Sequence, residues 1–515
     1  MCKPKLLIIG SGLGGLATGV ILARNGYDVT ILEQGTQIGG CLQCFVRRGV
    51  KFETGMHFIG SAAPGQTLDR LLRFLGIANK VTLSSLDPDG YDIISLGGGR
   101  YRIPSGRDAF IRRLTAYFPE EHEAIVRYLD LVEQVSSASS LHSLKYDGGG
   151  NSVLNAEYQL RSIDEVMQEL TCNTRLADVL VGNLPLYAGE RSKTPFSTHA
   201  FITDFYNQSA YRVVGGSDAI ASALAVELER LGGRILTRSR VTRIVCDETK
   251  AIGVEVNGKK CTEKDFSGNY YSKDNFLPAD FVISDAHPRR TLELLDTHLI
   301  RPAFRRRIAA MPQTVGGFSV YLHFKEDAVP YMNSNFYHYE QDTPWDCEHY
   351  DADSWPKGYL YMHFCHEPQP RFARAGVILS YMQMEEMRPW MGTRVGRRGA
   401  DYEAFKQMKA EKLLDRLEAQ FPGIREQIAH YYTSTPLTYF DYTGTEGGSM
   451  YGIAKDIHAG AAGRVPHRTK VPNVLLTGQN INSHGMLGVL VGVVVTCSEL
   501  VGGKEIFEQI KERNR

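Results

Sequence analysis

Neither sign of charge is in excess: Lys+Arg and Asp+Glu both total 58 in 515 residues. That balance argues against a nucleic-acid partner, whose phosphates call for a strongly basic face. Cysteine is sparse and irregularly spaced, with nine residues in the whole chain. A disulfide scaffold is therefore not expected, and a reducing compartment fits better. No signal peptide is legible ahead of the strand-like run at Lys5, so the expected location is cytoplasmic. Long apolar runs are scarce. The longest, Gly485 to Gly502, is about long enough to span a bilayer. It carries Thr496, Ser498, Glu499 and four glycines, and reads as a buried helix. Internal repeats and low-complexity tracts are absent. Cys41-Leu42-Gln43-Cys44 has no second C-x-x-C to complete a zinc site, so no metal is expected.

What is present is organised around both termini and the middle. Leu6–Ile9 is a continuous apolar run, as a strand buried on both faces should be. A Gly-rich turn, a helix from Leu16 to Arg24 and a second strand from Asp28 to Leu32 complete a βαβ unit. Residues 105–205 read mainly as helix, for example Asp108 to Phe118 and His122 to Ser136, interrupted by the linker-like Tyr146–Ser152. From Asp218 a helix is followed by short strands at Arg234–Thr237, Val241–Cys246, Ala251–Val256 and Phe281–Ser284, with Asn257-Gly258 as a tight-turn signal. Strands at Gly317–Phe324, Tyr359–His363 and Val377–Met382 precede a helix from Tyr402 to Phe421, and Val474–Thr477 returns to the opening pattern.

At roughly 100–200 residues per domain, about three domain-sized units are possible. The pattern predicts an α/β fold with a discontinuous Rossmann-type cofactor domain (1–104, 206–290, 441–515). An α+β substrate domain (105–205, 291–440) is inserted in it.

Gly10-Ser11-Gly12-Leu13-Gly14-Gly15 satisfies G-x-G-x-x-G. Gly10 permits the tight turn, Gly12 lets a pyrophosphate approach the backbone, and Gly15 lets the helix pack against the strand. The helix then offers about half a positive charge to the phosphates. Glu33, at the end of the second strand, is placed to bond a ribose, and an acidic residue there disfavours a 2′-phosphate.

Beyond Glu33 the chain runs Gln34-Gly35-Thr36-Gln37-Ile38-Gly39-Gly40. This resembles the FAD signature of the amine oxidase and phytoene desaturase superfamily, and the resemblance implies FAD as cofactor. It also implies that Gly39 and Gly40 meet the pyrophosphate, that Val241 contacts adenine, and that Gly478, Gln479, Asn480, Leu487 and Gly488 form the last FAD block. Gly49–Gly60, with Met56 and His57 facing the flavin, Gly448–Ala454 and Thr477–Asn480 resemble the family of phytoene desaturases, carotenoid isomerases and retinol saturases, and its saturase branch most closely.

That resemblance implies an oxidoreductase acting on carbon–carbon double bonds of an apolar polyene or isoprenoid. Desaturation or isomerisation on the same scaffold is an alternative, as are an amine oxidase and a non-catalytic binder of prenylated partners. His57 is the candidate proton donor; its competing reading is a packing histidine. Gln479, Asn480 and His484 stand at the entry of the last helix. Cys41 and Cys44 read as ordinary buried thiols against a redox dithiol. Arg301, Arg305–Arg307 and Arg394, Arg397, Arg398 leave open a peripheral membrane contact, against the plainer reading of solvated faces. A second complete dinucleotide fingerprint is missing, so the electron donor or acceptor is unassigned.

Overall fold

The computed structural model describes residues 3–139, 144, 156–257, 275–295 and 297–515. The linker-like Tyr146–Ser152 and the Gly258 side of the Asn257-Gly258 turn lie outside these residues.

The first strand, Lys5–Ile9, sits in the middle of a five-stranded parallel sheet. Its order is Arg234–Leu236, Asp28–Leu32, Lys5–Ile9, Phe281–Ser284 and Val474–Leu476. Strands far apart in sequence therefore share one edge, and the loops at their C-terminal ends converge there. Both faces are covered. On one, the helix Leu13–Arg24 packs with Asp218–Arg230 and Gly485–Val501 around Leu6, Ile8, Val29 and Ile31. On the other, Leu7, Ile9 and Leu32 pack against Ile244 and Val254 of a three-stranded antiparallel sheet. Burial on both faces explains why these strands read as unbroken apolar runs rather than as alternations. Gly485–Val501 packs inside this core, and among the described residues no helix is long and apolar enough to cross a membrane.

The second layer is a seven-stranded mixed sheet. Its order is Ile428–Ser434, Gly316–Phe324, Ala375–Met382, Gly358–His363, Asn335–Tyr339, Asp92–Leu96 and Gly99–Ile103. Side chains alternate between its faces. Phe318, Val320, Leu322, Tyr359 and Tyr361 face a core shared with Leu413 and Leu417 of the helix Ala400–Gln420. Tyr321, Leu360, Met362 and Val377 face the core shared with the helices Arg107–Tyr117, His122–Ser137 and Phe196–Gln208.

Residues 1–104 do not form one segment. Asp92–Leu96 pairs in parallel with Asn335–Tyr339 and antiparallel with Gly99–Ile103, so this hairpin edges the second sheet instead of the cofactor domain. The physical reason is a buried polar clasp. Asn335 Nδ2 donates to Asp92 Oδ1 (2.8 Å), and Arg212 Nη2 donates to Asn335 Oδ1 (2.8 Å). All three side chains are buried. The basic run 305–307 is largely structural: Arg305 Nη2 donates to Leu295 O (2.5 Å), and Arg307 Nη1 to Ala462 O (2.6 Å) and Arg464 O (3.1 Å).

Burial pushes the Asp92 carboxyl up to about 7, against the opposing pull of Asn335 and the Arg212 charge. A raised carboxyl favours the protonated fold. Its contribution is full below about pH 4 and is lost as pH rises through about 7. Asp92→Asn is therefore expected to lose less stability than the parent between about pH 4 and 7.5, by about 1–3 kcal/mol, in urea unfolding at the two pH values. Equal losses would show that Asp92 does not titrate in this window.

Candidate active site

A cavity of about 910 Å³ joins the C-terminal edge of the parallel sheet to the inner face of the second sheet. At one end three backbone segments meet. Gly10 holds a positive φ of 98°. A Cβ on Gly14 would lie 2.8 Å from Gly478 Cα, and one on Gly40 would lie 3.2 Å from Gly12 Cα. Side chains on these residues would fill the space between the segments, so the glycines leave an open cradle of backbone.

Gly10, Gly12, Leu13, Gly14, Glu33, Gln34, Gly39, Gly40, Met56, His57, Val241, Gly478, Gln479 and Asn480 all line the cavity. Gly15, Leu487 and Gly488 are not on its wall. A Cβ on Gly15 would lie 2.1 Å from Gly10 O, and one on Gly488 would lie 2.7 Å from Ser483 Cβ. Both glycines act beneath the wall, by letting helix and loop approach closely. The last helix instead presents Gly485, Met486 and Val489. Asn480 is engaged structurally as well: its Oδ1 accepts from Ile453 N (2.8 Å).

Glu33 holds the cradle rigid. Its Oε2 accepts from Ser11 N (3.1 Å) and Ser11 Oγ (2.6 Å), and its Oε1 from Gly35 N (2.7 Å). Asp285, directly after the strand Phe281–Ser284, also borders the cradle. Reading strands one at a time missed it. The signal lay in strand order, because the residue following the neighbour of the first strand stands at the sheet's crevice.

The opposite wall mixes apolar and phenolic groups: Phe58, Tyr206, Leu360, Met362, Leu379, Tyr439 and Tyr451. His57 stands at the junction. Its Nδ1 is 3.4 Å from Glu53 Oε2, its ring stacks on Phe364 with centroids 5.7 Å apart, and its carbonyl accepts from Arg212 Nη1 (3.2 Å). Burial raises the Glu53 carboxyl, while His57 and Arg212 pull it down. His484 is a poor proton donor, because burial lowers its imidazole to about 3. Its ring packs on Tyr451, with centroids 4.8 Å apart. Burial raises the Cys41 and Cys44 thiols to about 11 and about 12, so both stay protonated at neutral pH, contrary to a redox dithiol. The described cysteines are all free.

A backbone cradle at a helix N-terminus, an acidic residue closing the second strand and a helix start facing the far wall fit a dinucleotide that extends from the crevice toward the second sheet. Residues 13–389 match the family model described as flavin containing amine oxidoreductase. The chain belongs to that family.

It is 30% identical to the all-trans-retinol 13,14-reductase of Rattus norvegicus, an alignment covering 99% of this chain and 87% of the relative. It is 24% identical to prolycopene isomerase 2, chloroplastic, of an Oncidium hybrid cultivar, over 98% of this chain and 84% of the relative. Among solved structures it resembles the cyclohexylamine oxidase of Brevibacterium oxydans, with TM-score 0.59 and 16% identity over 99% of this chain and 100% of that one. The protein is accordingly an FAD-dependent oxidoreductase, with the α/β architecture of a Rossmann-type FAD domain and a substrate domain. The Gly10–Gly14 and Gly39–Gly40 backbones could hold the pyrophosphate of FAD, with Gly478 facing them across the cradle.

Glu33→Ala removes the acceptor of three hydrogen bonds. The FAD dissociation constant of the variant is expected to rise about 10- to 100-fold, measured by quenching of flavin fluorescence on titration into apoprotein. An unchanged constant would mean that Glu33 neither shapes the cradle nor touches the cofactor.

Proposed function

We propose that this enzyme saturates a conjugated carbon–carbon double bond of an apolar polyene or isoprenoid. The observation that carries the reading is the continuity of the FAD cradle with a wall of Phe58, Leu360, Met362 and Leu379, with His57 between them. The 30% identity to a retinol 13,14-reductase over nearly the whole chain supports the reductive direction.

Once reduced by an electron donor, bound FAD would supply the hydride that such a reduction needs. The chain's own residues do the rest. Leu360, Met362 and Leu379, on the inner face of the second sheet, orient the apolar substrate and exclude water. His57 delivers the proton to the carbon next to the one that receives hydride. Glu53, buried against Nδ1, positions that imidazole and returns its proton. The N-terminus of Gly485–Val501 borders the cavity, where its dipole stabilises negative charge on the cofactor side. Arg394 and Arg397, exposed beside the exposed Met391 and Val395, support peripheral contact with a membrane surface as the source of substrate.

The test is anaerobic. The enzyme, with its flavin chemically reduced, is mixed with all-trans-retinol and with longer carotenoids, and flavin and polyene absorbance are followed together. Recovery of oxidised flavin in step with loss of polyene conjugation is expected. Bleaching of the oxidised enzyme by a less conjugated isoprenoid would show a desaturase instead, and a shift in polyene isomer with no net redox change an isomerase. His57→Gln is expected to retain FAD and to slow polyene reduction by about 10²- to 10⁴-fold. Full activity in that variant would remove His57 from the mechanism.

A further inference from the structure

The residue that most constrains the cofactor cradle is an acid. A Cβ built on Gly12 would lie 2.5 Å from Asp285 Oδ2, and Cβ atoms on Gly14 and Gly478 would each lie 2.3 Å from Asp285 Oδ1. The carboxyl therefore sits between the fingerprint turn, whose glycines are expected to meet the pyrophosphate, and the Gly478 segment of the last FAD block. The chain fixes it there. Asp285 N donates to Ile9 O (2.8 Å), locking its backbone to the end of the first strand. The hydroxyls of Ser284 and Thr291 lie 2.7 Å apart, securing the turn on either side.

A carboxylate and a pyrophosphate are both anions, and both seek the same amides at the same helix N-terminus. At contact distance in a partly desolvated site, two like charges are strongly unfavourable. We propose that Asp285 is a cofactor-site residue that makes FAD binding proton-linked: the carboxyl is neutral, carrying a proton, whenever the pyrophosphate is in the cradle. A neutral carboxyl can donate a hydrogen bond to a phosphate oxygen, where the ionised form would repel it.

Neighbouring groups allow this. Burial raises the Asp285 acid to about 7 in the absence of the cofactor; Glu33 adds to the rise, and the Gly12 and Gly15 amides oppose it. Ionisable groups lining the cavity around Asp285 include Glu33, Cys41, Arg240, His287, Arg290, Glu293 and Glu446, the last paired with Arg289 (2.9 Å). Glu33 is held by Ser11 and Gly35, and Arg290 Nη1 pairs with Glu293 Oε2 (2.5 Å). His287 bonds Gln313 (3.1 Å), and burial lowers its imidazole. Burial raises the Cys41 thiol to about 11.

The sign follows. Below about pH 7 the acid already carries its proton and affinity is flat; above it, each FAD bound must bring one proton, and affinity falls. FAD dissociation constants are measured by fluorescence quenching from about pH 6 to 9 on parent apoprotein and on Asp285→Asn, a neutral isostere. Calorimetry in two buffers of different ionisation enthalpy counts the protons taken up.

The expected result for the parent is a constant that rises about tenfold per pH unit above about pH 7.5, with about one proton taken up per FAD at pH 8.5. Asp285→Asn should bind FAD with no pH dependence, and more tightly than the parent at pH 8.5. A flat parent profile, or a slope and proton uptake that persist in Asp285→Asn, would overturn the proposal. If Asp285→Asn fails to fold, as judged by circular dichroism of the apoprotein, Asp285→Ser and the parent's own proton count decide it. Neither readout depends on which substrate the enzyme reduces.

Discussion

Close approach of backbone to backbone at the C-terminal edge of the parallel sheet governs most of this molecule. Gly14 against Gly478 brings together opposite ends of the chain, and Gly12 against Gly40 closes the first turn onto the segment after the second strand. Such contacts require that side chains be absent, and they require each strand to end at the same level. The register of Lys5–Ile9 with Asp28–Leu32 and Phe281–Ser284 meets that second condition. The substrate domain can then be a long excursion, provided that its ends return to this edge. The chain does so twice, through Arg234–Leu236 and through Val474–Leu476.

The electrostatics of the site follow from the same convergence. Helix N-termini at Leu13 and Gly485 point into one cavity, and its acids are held at fixed places by short bonds or by burial. Glu33 accepts three hydrogen bonds, two from Ser11 in the glycine-rich loop and one from Gly35 in its own turn, and ties the two segments together. Asp285 accepts from the Gly12 and Gly15 amides, and burial is the largest influence on its proton. Two carboxyls in one crevice thus have different environments, and different tasks follow.

Much of the cofactor domain was legible in the sequence because each signal there is local. A buried strand is a short apolar run, a tight turn is a glycine at a fixed offset, and Asp28–Leu32 coincides with its expected bounds. The hairpin Asp92–Leu96 and Gly99–Ile103 was not legible as part of the second sheet. Its membership depends on pairing with Asn335–Tyr339, more than two hundred residues away, and on a buried Asp–Asn–Arg chain that no periodicity reveals. Met56 and His57 were found by family resemblance, whereas Asp285 and Leu360 required strand order and sheet facing, and Tyr206 the packing of its helix. Leu487 and Gly488 stand between the wall residues Met486 and Val489 without lining the cavity, because in a helix that is apolar on all sides pattern alone does not say which residues face a cavity.

Arg212 couples the two layers mechanically. From the strand Ala210–Val213, one guanidinium nitrogen grips the carbonyl of His57 and another grips Ser334 and Asn335 of the second sheet. The loop carrying His57 is thus tethered to the substrate layer as well as to the cofactor layer. A hinge between the layers would have to break three fan-shaped bonds from one buried cation, which a lysine, with a single ammonium at that point, could not reproduce. The arginine works as a rivet. It sets the gap between the His57 loop and the apolar wall of the cavity at folding.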